Sequence, residues 1–249
     1  MARPAPSGFR VLVFEDIDST NAEAARRAAQ GEPEGLVIRA RAQTAGRGRR
    51  GRSWVSPAGN CYSSILLRPE GAPRGAMTLG FVAALAASEA VRAAAGRGAA
   101  VQLKWPNDVL LDGKKIAGCL LESRLEGQRL AHLIVGVGIN VTSHPEGTEF
   151  PATDLHVAGA AAASADSVFF HYLEAFAHWH ARWKADGFAP VRAAWLGLAV
   201  GLGQPIKVRL EAETLVGRFE ALDSQGALIL RMADGERLIT TGDVFSIPA

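Results

Sequence analysis

The sequence is short of cysteine and of long apolar runs, and each shortage excludes a class of protein. Its 249 residues include two cysteines, Cys61 and Cys119, which lie in separate apolar stretches and form no metal-binding or disulfide pattern. We interpret both as buried thiols of a protein in a reducing compartment. No apolar run reaches the roughly 18 residues of a membrane span, and the N-terminus lacks the apolar centre of a signal peptide. We therefore expect a cytoplasmic protein with no membrane segment.

Net charge is also small, at +2, although the arginines cluster locally. A dedicated nucleic-acid-binding protein is usually basic over a whole face, so this balance argues against that class. The Walker A, Gly-x-Ser-x-Gly and His-Glu-x-x-His motifs are missing from the sequence, and with them the usual signatures of P-loop proteins, serine hydrolases and zinc proteases. A hydrophobic content of 48% with 21% charged residues is typical of a globular protein with a sizeable core.

Strand-like and helix-like segments alternate over the first 200 residues, which predicts an α+β domain. Asp112-Gly113 indicates a two-residue hairpin turn, and Thr20 followed by Glu23 indicates a capping box at a helix start. The expected strands are Arg10–Phe14, Leu36–Ala42, Cys61–Leu67, Val101–Trp105, Lys114–Glu122 and Leu130–Ile139. The expected helices run from Thr20 to Gln30, from Ala76 to Ala95, from about Asp166 to Lys184 and from about Pro190 to Leu198.

The character of the sequence changes after Gly201, where short strands follow one another without helices. About fifty residues of strands and tight turns predict a small β-barrel appended to the main domain. We therefore divide the chain into a larger domain, residues 1–200, and a C-terminal domain, residues 201–249. The expected C-terminal strands are Ile206–Leu210, Thr214–Leu222, Ala227–Met232 and Arg237–Thr241.

The most unusual stretch of the chain is residues 46–54, which read Gly-Arg-Gly-Arg-Arg-Gly-Arg-Ser-Trp. Glycine allows positive φ angles and a close approach of the backbone to a ligand. Arginine offers a planar set of donors suited to phosphate or carboxylate. A loop of this composition has no core of its own to build. We expect it to be mobile until an anionic ligand arrives and then to close over that ligand.

Two other interpretations of this loop compete with the binding of a small anionic ligand such as a nucleotide. Its glycines match the Gly-x-Gly-x-x-Gly dinucleotide fingerprint, but that fingerprint must open a helix, and Pro57 and Gly59 follow here instead. The arginines would also give non-specific affinity for nucleic acid through counterion release. Single-strand binding normally adds stacking aromatics, and Trp54 is the one nearby. A nucleic-acid-binding module therefore remains the alternative from another class.

Polar residues elsewhere are placed to complete a nucleotide site. Residues 19–21, Ser-Thr-Asn, stand at a predicted helix start, where hydroxyl and amide groups either cap the helix or receive a polar ligand. Lys115 follows the predicted hairpin and supplies a further cation. Asp108 and Asn140, each just beyond a strand, offer oxygen ligands for Mg²⁺ or ribose.

Five segments of the chain, taken in order, resemble the biotin–protein ligase family. Each segment alone is a weak match, whereas five in the family's order are highly specific. Residues 201–249 also resemble the family's small C-terminal SH3-like barrel, so the resemblance covers nearly the whole chain. The matching segments are Ser19-Thr-Asn21, Gln43 to Trp54, Lys104-Trp-Pro-Asn-Asp108, Lys115-Ile-Ala-Gly118 with Glu122, and Gly136-Val-Gly-Ile-Asn140.

The resemblance implies a fold and a two-step reaction. The fold would be a central mixed β-sheet flanked by helices, of the class II aminoacyl-tRNA synthetase and biotin ligase type. Biotin's carboxylate would attack the α-phosphate of ATP, with Mg²⁺, to give biotinyl-5′-AMP and pyrophosphate. A lysine of a biotin carboxyl carrier domain, part of a biotin-dependent carboxylase, would then attack the mixed anhydride and release AMP.

Carried over onto matching positions, the resemblance also implies residue roles. Arg49 and Lys115 would be catalytic, because they suit the carboxylate and phosphate on which negative charge develops. Neutral hydroxyl and amide groups would suit the ureido ring of biotin, and a closed loop would keep water from the anhydride. The residues implied to contact biotin or its adenylate are Ser19, Thr20, Asn21, Gln43, Arg47, Gly48, Arg49 and Lys115.

One feature departs from part of the family. Some members carry an N-terminal helix-turn-helix domain and double as DNA-binding repressors. About nine residues precede the first predicted strand here, so we expect the short, ligase-only form, which does not bind DNA. A lipoate–protein ligase is the alternative within the same superfamily, and the full arginine-glycine loop argues against it. The sequence leaves open which carrier is modified and whether the enzyme is a homodimer.

Overall fold

The structure is a computed structural model and describes residues 4–70, 73–96 and 98–247. Its first seven strands and its helices belong to the larger of the two predicted domains. The strands are β1 (Arg10–Ile17), β2 (Leu36–Gln43), β3 (Cys61–Leu67), β4 (Val101–Lys104), β5 (Asp108–Leu111), β6 (Lys114–Glu126) and β7 (Arg129–Ile139). The helices are α1 (Thr20–Ala29), α2 (Pro73–Ala76), α3 (Leu79–Ala95), α4 (Ala165–Asp186) and α5 (Phe188–Leu196).

These seven strands form one sheet in the order β1-β2-β3-β7-β6-β5-β4. β1 pairs with β2 in parallel, and the other neighbouring pairs are antiparallel. The central mixed sheet implied by the family resemblance is therefore confirmed. The predicted hairpin turn also joins β5 to β6, where Asp112 and Gly113 have φ angles of 48° and 76°, as a two-residue turn requires.

Alternating side chains of the central strands bury two apolar layers, one on each face of the sheet. Leu66 and Ile134 pack with residues of α1 on the first face. The adjacent Ile65 and Val135 point the other way, into the larger core shared with α3, α4 and α5. The sheet is thus flanked by helices, and the α1 face carries the cavity described below.

Two helix starts differ from the sequence predictions. Ser19, not Thr20, is the N-cap of α1, because its side chain accepts the backbone N–H of Ala22. Glu23 does not close a capping box and instead pairs with arginines of the next turn. α4 begins at Ala165, and its N-cap is Ser164 rather than the expected Asp166 or Ser167, since Ser164 and Ser167 cap each other reciprocally.

The helix expected from Ala76 to Ala95 is divided, with α2 ending at Ala76 and α3 beginning at Leu79. The combined segment Pro73–Ala95 is long and apolar enough in composition to cross a membrane. However, 72% of its most apolar window is buried inside the fold. A central core helix has this property, and the alanines of α3 allow it to pack closely against its neighbours.

The described residues after position 200 form a five-stranded antiparallel sheet, with one more strand than predicted. Its strand order is β11-β10-β9-β8-β12, and no pairing joins β11 to β12 among the described residues. The expected closed barrel is therefore not confirmed. Trp105 connects the two parts of the chain by donating from Nε1 to the carbonyl of Gly226 at 3.1 Å. The strands are β8 (Pro205–Arg209), β9 (Thr214–Leu222), β10 (Leu228–Met232), β11 (Gly235–Ile239) and β12 (Asp243–Ser246).

The core beneath α4 supplies a test of what stabilises this fold. Phe176 is fully buried and packs against Phe9 and Tyr172. We predict that Phe176→Ala lowers the free energy of unfolding by about 3–5 kcal/mol, because the substitution leaves a cavity. Val216→Ala, at a side chain 57% exposed, is the control and should change it by less than about 0.5 kcal/mol. Urea denaturation measures both, and equal effects would contradict the assignment of Phe176 to the core.

Candidate functional site

A cavity of about 480 Å³ opens on the α1 face of the sheet, and glycines form its floor. Gly118 of β6 pairs directly with Gly138 of β7. A Cβ atom at position 138 would lie 2.6 Å from Nε1 of Trp54, and one at position 136 would lie 2.2 Å from Oδ1 of Asn21. The missing side chains therefore give Trp54 and Asn21 the space that they occupy.

Trp54 forms one wall of this cavity. Its ring lies over the glycine floor, and Nζ of Lys115 stands 5.3 Å from the ring centroid. Its Nε1 is buried against the floor at Gly138 and has no hydrogen-bond partner within the described part of the chain. Sequence reasoning weighed Trp54 as a stacking residue for nucleic acid and did not predict this position.

The polar end of the cavity is built from neutral groups of α1 and β2. Gln43 Oε1 accepts from the backbone N–H of Thr20 at 2.8 Å, and Thr20 Oγ1 lies 3.1 Å from the same atom. Gln43 Nε2 donates to Ser56 at 2.9 Å. Asn21 Nδ2 donates to Glu122 at 2.7 Å. The fold thus brings together Thr20, Asn21 and Gln43, which the family resemblance implied as ligand-contacting residues, in one hydrogen-bonded network at the polar end of the cavity.

Ser64 belongs to this network, although the sequence analysis did not identify it. Its Oγ lies 2.7 Å from Oγ1 of Thr20 and 2.5 Å from Oδ1 of Asn21. The available signal was a buried strand position occupied by serine, on the face that the apolar pattern gives to α1. Ser19 also lines the cavity, but its hydroxyl accepts from the backbone at the helix cap.

The positively charged end of the cavity is formed by Lys115 and Arg49. Lys115 Nζ lies 2.6 Å from a carboxylate oxygen of Asp108. Arg49 Nη1 donates to the side-chain oxygen of Asn107 at 3.2 Å, and Asn107 is itself fixed by donation to the backbone. Burial and the charge of Arg50 lower the pKa of Arg49, against the opposing effect of Asp108. The guanidinium is therefore a poorly compensated cation, which an anionic ligand would stabilise.

Residues 46–54 form a compact turn at the rim of the cavity. Arg49–Gly51 is a 3₁₀ turn in which Arg50 has φ 55°. The N–H of Gly48 donates to the carbonyl of Arg52 at 2.6 Å, and Arg47 donates to Glu122 at 3.3 Å. These contacts place Arg47, Gly48 and Arg49 at the cavity. The expected mobility of the loop remains a prediction.

Lys104 and Phe150 are further cavity residues that the sequence analysis did not name as site residues. Nζ of Lys104 lies 3.1 Å from the ring centroid of Phe150. Burial lowers the pKa of Lys104 to about 8, although the charge of Asp108 opposes the change. Lys104 opens the Lys-Trp-Pro-Asn-Asp segment quoted above, so the signal was present, whereas no pattern marked Phe150.

Each of the two suggested magnesium ligands already has a partner within the protein. Asp108 is paired with Lys115. Asn140 is buried and donates from its amide to the carbonyl of Thr153 at 3.0 Å. Across residues 4–70, 73–96 and 98–247, no group of three or more His, Cys, Asp or Glu side chains is placed to hold a metal ion. These side chains alone do not provide the set of oxygen ligands that Mg²⁺ requires.

The fold and the cavity define a protein of the ligase superfamily to which the sequence motifs pointed. Residues 13–140 match the model of the biotin/lipoate A/B protein ligase family, and residues 201–246 match the biotin protein ligase C-terminal domain. The chain belongs to the biotin/lipoate A/B protein ligase family.

The names of individual relatives are more specific than the description of the family model. The chain is 45% identical to a biotin–[acetyl-CoA-carboxylase] ligase of Paracoccus denitrificans, over 92% of this chain and 97% of that protein. It is 33% identical to the bifunctional ligase/repressor of Bacillus subtilis, over 94% of this chain and 73% of that protein. The structure of an Aquifex aeolicus biotin protein ligase in complex with biotin and ATP superposes with a TM-score of 0.77, at 28% identity over 95% and 97% of the two chains.

The glycine floor supplies the test of the site geometry. We predict that Gly136→Ala lowers the free energy of unfolding by about 1–3 kcal/mol, because the new Cβ overpacks Asn21 and breaks its bonds to Glu122 and Ser64. Gly75→Ala is the control, since nothing lies within 4 Å of its Cβ position. Chemical denaturation of both variants provides the comparison. A Gly136→Ala protein as stable as its parent would show that Asn21 is not held in this way.

Proposed function

We propose that this chain is an ATP-dependent biotin–protein ligase, which activates biotin as biotinyl-5′-AMP and transfers it to a carrier lysine. The observation that carries the proposal is one cavity with a neutral polar end, an aromatic wall and a cationic end. Biotin has the same succession of a neutral ureido ring, an apolar body and a carboxylate. The ligase named for Paracoccus denitrificans and the biotin- and ATP-bound Aquifex aeolicus structure support this reading.

The neutral end recognises the ureido ring in this proposal. Hydroxyl, amide and carbonyl groups of residues 19–21 and Gln43 line this end of the cavity and offer both donors and acceptors. Ser64 lies behind them and holds Thr20 and Asn21 in place. They are interlinked by hydrogen bonds, so they are oriented before a ligand arrives. Such preorganisation reduces the ordering cost of binding. Trp54 lines the part of the cavity that is proposed to take the apolar body of biotin.

The cationic end then serves the first chemical step. A carboxylate oxygen of biotin forms a bond to the α-phosphorus of ATP, and the bond from that phosphorus to the bridging oxygen of pyrophosphate breaks. Negative charge increases on the phosphoryl oxygens during this exchange. Arg49 and Lys115 are the cations proposed to stabilise it, with Arg47 and Gly48 completing the rim of residues that contact the adenylate.

The second step consumes the adenylate. The neutral ε-amine of a carrier lysine attacks the acyl carbon, the bond from that carbon to the phosphate oxygen of AMP breaks, and the amine loses a proton to solvent. Residues 46–54 are proposed to close over the mixed anhydride until the carrier docks. Exclusion of water by this loop protects the anhydride from hydrolysis.

Magnesium is not given a protein site in this proposal. Asp108 is paired with Lys115 and Asn140 is buried, which does not favour a dedicated cation cage at these residues. Mg²⁺ in nucleotide sites is commonly held by substrate phosphates and water with one or two carboxylates. A requirement for Mg²⁺ therefore remains a prediction.

The remaining features of the proposal concern partners and organisation. We propose a biotin carboxyl carrier domain as protein substrate, a homodimer as a possible assembly and the cytoplasm as location. Burial raises the pKa of Cys61 and Cys119 to about 12, which suits unreactive thiols in a reducing compartment. We also propose the division at residue 200. The β8 to β11 meander, with β12 returning beside β8, supports an SH3-like C-terminal domain.

A transfer assay tests the function directly. The protein is incubated with ATP, labelled biotin and an apo carrier domain, and the expected result is label on one carrier lysine. Labelled lipoate with its own apo carrier, and a labelled oligonucleotide, test the two alternatives. Transfer of lipoate without transfer of biotin would support the lipoate ligase, and binding of the oligonucleotide without any transfer would support the nucleic-acid module.

Arg49→Gly tests retention of the adenylate by the loop. We expect this variant to release biotinyl-AMP and to label bystander lysines indiscriminately, because the poorly compensated cation at the cavity is lost. Arg41→Gly is the control, since Arg41 lies outside the cavity and pairs with exposed Glu15. Mass spectrometry of a bystander protein counts the labelled lysines. Equal retention by Arg49→Gly and the parent would remove Arg49 from this role.

Lys115→Ala tests the catalytic role of the lysine. We expect the rate of adenylation to fall by about 10²–10³-fold, as when a preorganised electrostatic group is removed. The free energy of unfolding should fall by no more than about 1–2 kcal/mol, from the Asp108 carboxylate left without its partner. Lys114→Ala in the same hairpin is the control. Pyrophosphate exchange measures the rate, and urea denaturation measures the stability. If the fall in rate is no larger than the loss of folded protein accounts for, Lys115 has a structural role only.

A further inference from the structure

One carboxylate of the C-terminal sheet, Asp243, gathers arginines from the loop of residues 46–54. Its side chain is 10% exposed. Asp243 accepts from Arg50 at 3.4 Å and from Arg52 at 3.1 Å. It also accepts at 3.2 Å from Arg209, its partner across β8 and β12. Burial opposes ionisation of Asp243, but the hydrogen bond from Arg209 and the charges of Arg52 and Arg50 hold its pKa below the usual value. It is therefore a carboxylate at neutral pH.

The loop arginines divide between charged and neutral partners. Arg47 pairs with Glu122, and Arg50 and Arg52 pair with Asp243. Arg49 donates to the hydroxyl of Thr241 at 3.1 Å and to Asn107, and no carboxylate lies within ion-pair distance of it among the described residues. A ligand that binds Arg49 therefore does not have to displace a carboxylate from it.

The paired strands β8 and β12 also contact a second part of the cavity lining. Arg209 donates to both carboxylate oxygens of Glu149, at 2.6 and 2.8 Å. The ring of Phe245 in β12 stacks on that of Phe150, with centroids 4.9 Å apart. Glu149 and Phe150 both line the cavity. The edge of the C-terminal sheet formed by β8 and β12 thus joins the arginine loop to the segment that contains Glu149 and Phe150.

We propose that Asp243 is a positioning residue that anchors the arginine loop to the C-terminal sheet and leaves Arg49 to the anionic part of the ligand. This inference rests on the proposed function and deepens it. Asp243 acts through Arg50 and Arg52 rather than on the reacting atoms. Ion pairs of half-exposed side chains are individually weak, but three arginines on one largely buried carboxylate form a network in a single geometry.

Limited trypsin digestion of the substrate-free protein tests the anchor without reference to catalysis. Trypsin cleaves after arginine, and the loop carries four of them, at positions 47, 49, 50 and 52. We expect Asp243→Asn to increase the initial rate of cleavage within the loop by about tenfold, the equivalent of one lost charge-assisted hydrogen bond. Glu236→Gln is the matched control, because it neutralises a carboxylate paired with Arg231 at the opposite edge of the same sheet.

Retention of the adenylate is the second measurement. After loading with biotin and ATP, Asp243→Asn should release biotinyl-AMP about tenfold faster than the parent, and Asp243→Glu should restore most of the retention. The melting temperatures are measured beside these rates. Unchanged loop cleavage, an equal increase in Glu236→Gln, or cleavage spread over the whole chain with a matching fall in melting temperature would each overturn the anchoring role. If the parent forms no adenylate, the proposed function fails, while the trypsin comparison still decides whether Asp243 holds the loop.

Discussion

The site depends on the absence of side chains at Gly118, Gly136 and Gly138. Two central strands of a sheet usually present a continuous layer of side chains to the helix above them. Here the backbone is bare on that face, and a Cβ at position 136 or 138 would overlap Asn21 or Trp54. The cost is lost packing and the greater flexibility of glycine in strands. Packing on the opposite face of the sheet offsets this cost, because Ile65, Val135 and the apolar side chains around them are buried there.

A bare floor also explains how opposite chemical characters coexist in one cavity. The hydroxyl and amide groups of Thr20, Asn21 and Gln43 are neutral, and hydrogen bonds keep them ordered. One of these bonds runs from Asn21 to the carboxylate of Glu122, so a charged group also contributes to that order. At the other end of the cavity, some of the neighbouring cations are paired with carboxylates and others are not. Lys115 has Asp108, whereas Arg49 has neutral partners. Compensating every cation would leave nothing to attract an anionic ligand, and compensating none would drive the rim apart by mutual repulsion.

Much of the fold and part of the site could be predicted from the sequence, and the limits have physical causes. The strand from Cys61 to Leu67 and the turn at Asp112-Gly113 follow from local pattern, which short-range sterics determine. The helix cap at Ser19 was misassigned to Thr20 because adjacent hydroxyl residues are equivalent by pattern, and tertiary bonds from Gln43 and Ser64 decide between them. Ser64 and Phe150 were missed for a related reason. Each carries no motif, and each acquires its place from contacts with residues distant in the chain.

Asp243 shows most clearly what sequence reasoning could not reach. The C-terminal domain was predicted as a small barrel appended to the main domain, and the strand that begins with Asp243 was not predicted at all. Its importance depends on three arginines from two regions of the chain meeting at one carboxylate. A loop rich in glycine and arginine has no means of fixing its own shape, since glycine maximises backbone freedom and like charges repel. Carboxylates from outside must supply that constraint. In this fold they come from β6, through Glu122, and from β12, through Asp243, so the loop spans both sheets and depends on each.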